Sequence, residues 1–185
     1  MSTALKDLYS TTFYNQFCKV VSGVIPGFKQ QHFVKLIFAH GWEEKELKDR
    51  MRHTSNALRQ FMPDDFKKAS RLLQQIIQEL EKQQLHHQAL QYMFIPDYVE
   101  QFGLEDFSTS VTLFEKVTPF TSCEFAVRPF ILRYGQEMID QMTQWSFHRN
   151  HHVRRLASEG SRPRLPWAMA LPALKKDPSP NLPLL

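Results

Sequence analysis

The spacing of apolar residues is the feature that most limits how this chain can fold. Apolar side chains recur every three or four residues in segments that end at Pro26-Gly27, Gly41, Pro63 or Pro119. This period places them on one face of an α-helix, and proline or glycine ends each helix. With only 6 glycines and no Asn-Gly or Asp-Gly dipeptide, the chain lacks the turns that β-hairpins need. The pattern predicts an all-α protein.

The same pattern predicts about nine short helices and several of their ends. Pro96 is expected to divide two short helical segments, 85–94 and 97–102, and Pro129 predicts a break near Arg128 because proline disfavours a helical residue before it. Helix caps are predicted at Asp64 or Asp65, at Ser108 or Ser110, and at Gly160.

Short helices joined by tight turns favour stacked antiparallel helix pairs, as in an α-solenoid. Residues 1–185 are expected to form a single domain. A compact helical bundle is the alternative, because no clean sequence repeat is visible. The Pro-rich tail, residues 171–185, cannot extend a helix far and is expected to leave apolar residues uncovered at the end of the chain.

Charge is distributed unevenly along the chain. The net charge is only +4, but residues 149–176 contain seven Lys or Arg and one acid, Glu159. A local basic surface of this kind suits a nucleic-acid partner. The two cysteines are too far apart in sequence to suggest a disulfide framework, and the N-terminus has no apolar signal region. The apolar runs are too short to span a bilayer. These features predict a reduced, soluble, cytoplasmic protein without a membrane partner.

Two segments of the basic region contain candidate functional residues. Arg154 and Arg155 are consecutive, so on a helix they point in different directions and suit two successive phosphates; a solvated polar face is the alternative. Glu159 is unusual because the end of a helix disfavours an anion; a structural pairing with Arg155, or with Arg162 and Arg164, is the alternative to a functional role. In Arg162-Pro163-Arg164-Leu165-Pro166-Trp167 the prolines stiffen the loop, so Trp167 either anchors it in the core or offers its ring to a sugar or cation.

A third candidate is Thr121-x-x-Glu124, which matches a capping box and makes Glu124 more typical of a helix cap than of a catalyst. Arg128 follows one turn later and is positioned to pair with Glu124. His148, His151 and His152 have no Cys or acidic cluster nearby, so no metal site is predicted. The Gly-rich phosphate loop of nucleotide cofactors is absent, and no cofactor is predicted.

Two segments carry a resemblance to a known family: Cys123-Glu124-Phe125-Ala126-Val127-Arg128-Pro129-Phe130, and the run from His152 to Ala168 that includes Arg154-Arg155-Leu156-Ala157-Ser158-Glu159-Gly160. The chain resembles AlkC, a bacterial 3-methyladenine DNA glycosylase related to AlkD. The resemblance implies HEAT-like helical repeats with a concave basic surface. It also implies DNA repair by hydrolysis of the N-glycosidic bond of N3-alkylated bases such as 3-methyladenine, in duplex DNA and without base flipping.

The resemblance also implies site residues. Glu124 and Glu159 would be active-site carboxylates, and Trp167 would face the deoxyribose of the lesion. DNA contacts are predicted for the arginines Arg128, Arg149, Arg154, Arg155, Arg162 and Arg164. Family members continue into further repeats with another catalytic Asp, so the chain is expected to be a truncated N-terminal portion. A catalytically inactive DNA-binding protein and a protein-interaction scaffold remain the alternatives.

Overall fold

A computed structural model describes residues 4–39, 41–85 and 90–184, and within them it contains helices and no strand. The prediction of an all-α fold is confirmed. No helix in these ranges combines the length and apolarity needed to cross a bilayer.

The α-helices are α1 (Thr11–Val24), α2 (Gln30–Ile37), α3 (Leu47–Arg59), α4 (Phe66–Lys82), α5 (Phe94–Phe102), α6 (Phe107–Val117), α7 (Arg128–Tyr134), α8 (Gln136–Ser146), α9 (His151–Gly160) and α10 (Pro172–Lys176). Short 3-10 helices cover Leu5–Leu8, Leu90–Met93 and Ser179–Leu184.

Side-chain caps explain where several helices begin. The side-chain oxygens of Ser10, Asp65, Asp106 and Asn150 accept hydrogen bonds from main-chain N–H groups at the starts of α1, α4, α6 and α9. Asp65 was a predicted cap and is confirmed. The prediction of a cap at Ser108 or Ser110 is wrong, because Asp106, two residues before Ser108, is the N-cap of α6.

The two prolines differ in their effect. Helix α7 begins at Arg128 with Pro129 as its second residue, so the predicted break is confirmed. The predicted division at Pro96 is wrong, since α5 begins at Phe94 and runs through Pro96. Pro96 is the third residue of that helix, where a missing N–H leaves no intrahelical hydrogen bond unmade. Residues 86–89 of the predicted segment before it lie outside the described residues.

The helices pack in two connected rows. Helices α1, α4 and α6 contact one another in succession, and α2, α3 and α5 do the same, while α5 also packs on α6. Helix α8 then packs between α7 and α9. One continuous apolar cluster runs through these layers from Tyr9 to Leu184.

The Pro-rich tail folds back on the helices. Its 3-10 helix packs on α8, and Leu171, Leu174 and Leu184 are buried. Asn181 donates a hydrogen bond from Nδ2 to the Ser161 carbonyl at 2.8 Å, at the end of α9. The expectation of an uncovered apolar end is therefore wrong for the described tail, although Leu182 is exposed; Leu185 lies outside the described residues.

Gly160 allows α9 to approach its neighbours closely. A Cβ atom at this position would lie 2.7 Å from Val127 Cγ2 and 3.0 Å from Met142 Cε. Gly160 is the last residue of α9, and Ser161 follows it as the C-cap. The prediction that Gly160 is the C-cap is wrong, because close packing rather than a left-handed turn requires glycine here.

We predict that Gly160→Ala lowers the free energy of unfolding by about 1–3 kcal/mol, the usual cost of overpacking. Urea denaturation followed by circular dichroism measures the change. Gly23→Ala in α1 is the matched control, because no atom lies within 4 Å of a Cβ at that position; it should stabilise by about 0.5–1 kcal/mol. Equal effects of the two substitutions would show that α9 is not closely packed at Gly160.

Candidate active site

Arg128 is the buried anchor of the region. Its side chain is fully buried, and its guanidinium donates hydrogen bonds to main-chain carbonyl oxygens of the loop after α9. Nη1 donates to Gly160 at 3.0 Å and to Arg162 at 2.8 Å, Nε donates to Met169 at 2.5 Å, and Nη2 reaches the Pro163 oxygen at 3.4 Å. Burial lowers the pKa of this guanidinium from its usual value. The prediction that Arg128 contacts DNA is wrong for this structure, because the carbonyl groups enclose the whole charged group.

The loop held by Arg128 closes on itself. The Leu171 N–H donates to the Pro163 carbonyl at 3.1 Å, and the Ala168 N–H donates to the Leu165 carbonyl at 3.1 Å. Two prolines, Pro163 and Pro166, limit the unfolded freedom of the same segment. The residues between these contacts therefore form a fixed platform on the surface of the fold.

Glu124 lies in the turn before α7. Its side chain is only 12% exposed, and its Oε1 lies 2.8 Å from Arg155 Nη2 on α9. Oε1 has no aligned hydrogen bond among the described residues, so its contact with Arg155 is an ion pair. The predicted capping box is wrong, since Thr121 begins no helix and the N-cap of α7 is Val127.

Glu159 lies one turn after Arg155 and contacts a different arginine. Its Oε2 accepts a hydrogen bond from Arg162 Nη1 at 2.8 Å. Arg155 and Arg162 are each 54% exposed, whereas the two carboxylates are more buried than their partners. Burial raises the pKa of Glu124, and the Glu159 charge raises it further, while Arg155 and Arg162 lower it. The two acids and two arginines thus form one interacting cluster.

Trp167 is exposed on the platform. Its indole is 61% accessible, whereas Trp42 and Trp145 are buried. Its φ of 64° lies in the left-handed region, which a bulky residue adopts rarely. The Trp167 carbonyl accepts a hydrogen bond from Lys48 Nζ at 2.8 Å, and that ammonium lies 5.5 Å from the centre of the Phe125 ring, next to Glu124.

The other predicted arginines have varied surroundings. Arg154 is exposed, but its Nη1 donates to the carbonyls of His148 and Arg149, just before α9. Arg149 and Arg164 are exposed. Among the described residues, no group of three His, Cys, Asp or Glu side chains is arranged to hold a metal ion.

The structure thus brings Glu124, Glu159, Arg155 and Arg162 together and links them to Trp167 through Phe125 and Lys48. Sequence reasoning missed Lys48, which lies 119 residues before Trp167. No local motif around Lys48 signals this contact. The buried role of Arg128 was also missed, because its spacing from Glu124 suggested an ion pair instead.

Comparison with known proteins identifies the type of chain. No protein-family model matches it. The chain is 41% identical over 181 residues to the uncharacterized protein YhaZ of Bacillus subtilis (strain 168), covering 98% of the chain and 49% of YhaZ. It is also similar to the solved structure of the Pseudomonas fluorescens alkylpurine DNA glycosylase AlkC, bound to DNA containing an abasic site analog. That match has a TM-score of 0.90 and 33% identity, and it covers all of the chain and 50% of AlkC.

The chain has the helical fold of AlkC. The resemblance predicted from the sequence is confirmed over its whole length. The chain spans about half the length of both proteins it matches. The helices that carry Trp167 and the cluster of Glu124, Glu159, Arg155 and Arg162 therefore belong to an architecture that the chain shares with AlkC.

We predict that Arg128→Met destabilises the fold by about 3 kcal/mol or more, because the main-chain carbonyls at the end of α9 and in the following loop lose the charged donor that joins them. Thermal unfolding measures the loss, and limited trypsin digestion reports whether cleavage after Arg164 accelerates. Arg133→Met is the control: Arg133 is an exposed partner of Glu105, so its replacement should cost less than about 0.5 kcal/mol. A stable Arg128→Met variant with unchanged cleavage would contradict the anchoring role.

Proposed function

We propose that this chain is the lesion-facing part of a DNA repair glycosylase that hydrolyses the N-glycosidic bond of N3-alkylated bases such as 3-methyladenine. The observation that carries the proposal is the pair of partly buried acids, Glu124 and Glu159, held beside half-exposed arginines and linked to an exposed Trp167. The similarity to AlkC supports a DNA glycosylase of this general kind. Double-stranded DNA with alkylated bases is the proposed partner.

The chemistry of the proposed reaction matches these side chains. An N3-alkylated adenine carries a positive charge and leaves without being protonated, while the deoxyribose gains oxocarbenium character. Ionised Glu124 and Glu159 would stabilise that developing cation and orient a water molecule for attack. The face of the Trp167 indole would add a cation–π interaction worth about 0.5–2 kcal/mol. No cofactor or metal enters this scheme.

In the proposed reaction, the two arginines would release the carboxylates for contact with the substrate when DNA binds. Arg155 and Arg162 are both half-exposed, so phosphates of a bound duplex can compete for their guanidinium groups. Glu124 and Glu159 would then turn from their arginines to the cationic sugar. In this scheme Arg149, Arg154 and Arg164 add further phosphate contacts.

The exposure of Trp167 also supports recognition without base flipping. Enzymes that flip a base enclose it in a deep pocket, whereas this indole is 61% accessible on the surface. We infer that the lesion stays in the duplex and that its sugar is approached from the groove. We also propose that the protein acts in the cytoplasm, where its two unpaired cysteines, Cys18 and Cys123, would remain reduced.

A DNA-binding protein without catalysis is the second candidate function. It is favoured by one observation: Arg149, Arg154 and Arg164 are exposed in a region that contains seven Lys or Arg and one acid, which suits duplex phosphates whether or not a base is released. This candidate requires salt-sensitive duplex binding without base release. A protein-interaction scaffold would show negligible DNA binding.

We predict that Glu124→Gln and Glu159→Gln each slow release of 3-methyladenine from methylated duplex DNA by about 100-fold or more, because each removes a charge that stabilises the transition state. Single-turnover base release measures the rate. Glu137→Gln, an exposed position at the start of α8, is the control and should leave it unchanged.

Thermal unfolding of the same variants separates catalysis from folding. Because burial raises the pKa of Glu124, its charged form lowers stability above that pKa, so Glu124→Gln should keep or raise the melting temperature. If the parent chain binds the duplex but releases no base, the second candidate function holds. If both amide variants release base at the parent rate, the proposed roles of the acids are wrong.

A further inference from the structure

We propose that Lys48 is a positioning residue that holds the loop of Trp167 against the segment that carries Glu124. The proposal rests on the proposed function for its catalytic consequence, but its structural part stands alone. It starts from the hydrogen bond of 2.8 Å between Lys48 Nζ and the Trp167 carbonyl, which joins α3 to the loop after α9.

The backbone of Trp167 needs an external support. Its φ of 64° is in the left-handed region, where a bulky side chain crowds its own main chain. Such a conformation persists only where neighbouring groups hold it, and it is found most often at functional sites. Arg128 fixes the carbonyls of Arg162, Pro163 and Met169 on either side, and Lys48 fixes the carbonyl of Trp167 itself.

The same ammonium also reaches the segment that carries Glu124. Lys48 Nζ lies 5.5 Å from the centre of the Phe125 ring, a cation–π contact. One charged group thus joins two segments, the turn of Glu124 and the loop of Trp167. Lys48 lies in the first turn of α3, so this third element fixes the distance between the two segments.

Lys48 is an exposed residue, but its ammonium is already bound within the protein, which favours a positioning role. Lys48 and Trp167 line one surface depression together with Leu5 and Leu47. The ammonium already contacts a carbonyl and an aromatic ring of the protein.

A double-mutant cycle tests this coupling. Lys48→Met, Trp167→Ala and the double variant are compared in single-turnover release of 3-methyladenine and in duplex affinity. Lys48→Met should slow release by about 2- to 30-fold, the range for losing one cation–π contact, with little change in affinity. The double variant should match Trp167→Ala alone, and Lys48→Arg should restore most of the rate. Lys35→Met, an exposed lysine on α2, is the control and should behave like the parent.

Additive effects of the two substitutions would overturn the proposal. The proposal would also be overturned if Lys48→Met weakened duplex affinity and reduced the salt dependence of binding, and did so in the Trp167→Ala background as well. Those results would identify Lys48 as a phosphate contact.

Acrylamide quenching of the DNA-free protein separates failure of this proposal from failure of the proposed function. Trp42 and Trp145 are buried, so quenchable emission comes from Trp167. Lys48→Met should increase the quenching constant, whereas Lys35→Met should not. An unchanged constant would refute positioning by Lys48 whether or not the parent chain releases bases.

Discussion

The candidate site depends on one buried cation. Arg128 has no carboxylate partner in the described structure; main-chain oxygens of the loop after α9 surround it instead. A buried guanidinium is tolerated only when its N–H donors are hydrogen-bonded. If the loop moved away, an unpaired charge would remain in an apolar interior. This constraint fixes the platform of Trp167. It also ties the start of α7, three residues beyond Phe125, to the end of α9, where Glu159 lies.

The charged form of Glu124 on this framework costs stability. Glu124 is mostly buried and is near a second carboxylate, and both conditions raise its pKa and disfavour its charged form. A protein selected for stability alone would gain from a neutral side chain here. The half-exposed arginines keep the cluster close to neutral in the free protein. They are also the groups that a DNA phosphate would draw away, which links DNA binding to the availability of the carboxylates.

Much of the fold followed from local rules. Apolar spacing predicted the helices, Asp65 and Pro129 marked two helix starts, and the AlkC resemblance was confirmed by the structural match. Pro96 and Gly160 were misjudged because their effects depend on position within a helix and on neighbours across the core. Arg128 and Lys48 could not be assigned from sequence, since their partners lie more than 30 and more than 100 residues away. The local pattern around each residue says nothing about such distant carbonyls.

The central claim is that Glu124 and Glu159 together recognise a sugar that is becoming positive. Two duplexes that differ at a single nucleotide test this claim without requiring turnover. One contains a cationic pyrrolidine abasic analogue at that position, and the other contains a neutral tetrahydrofuran. The account predicts that the chain binds the cationic duplex more tightly by about tenfold or more, the value of one charge-assisted contact, and that the difference disappears when both acids are replaced by glutamine. Equal affinity of the parent chain for the two duplexes would contradict it.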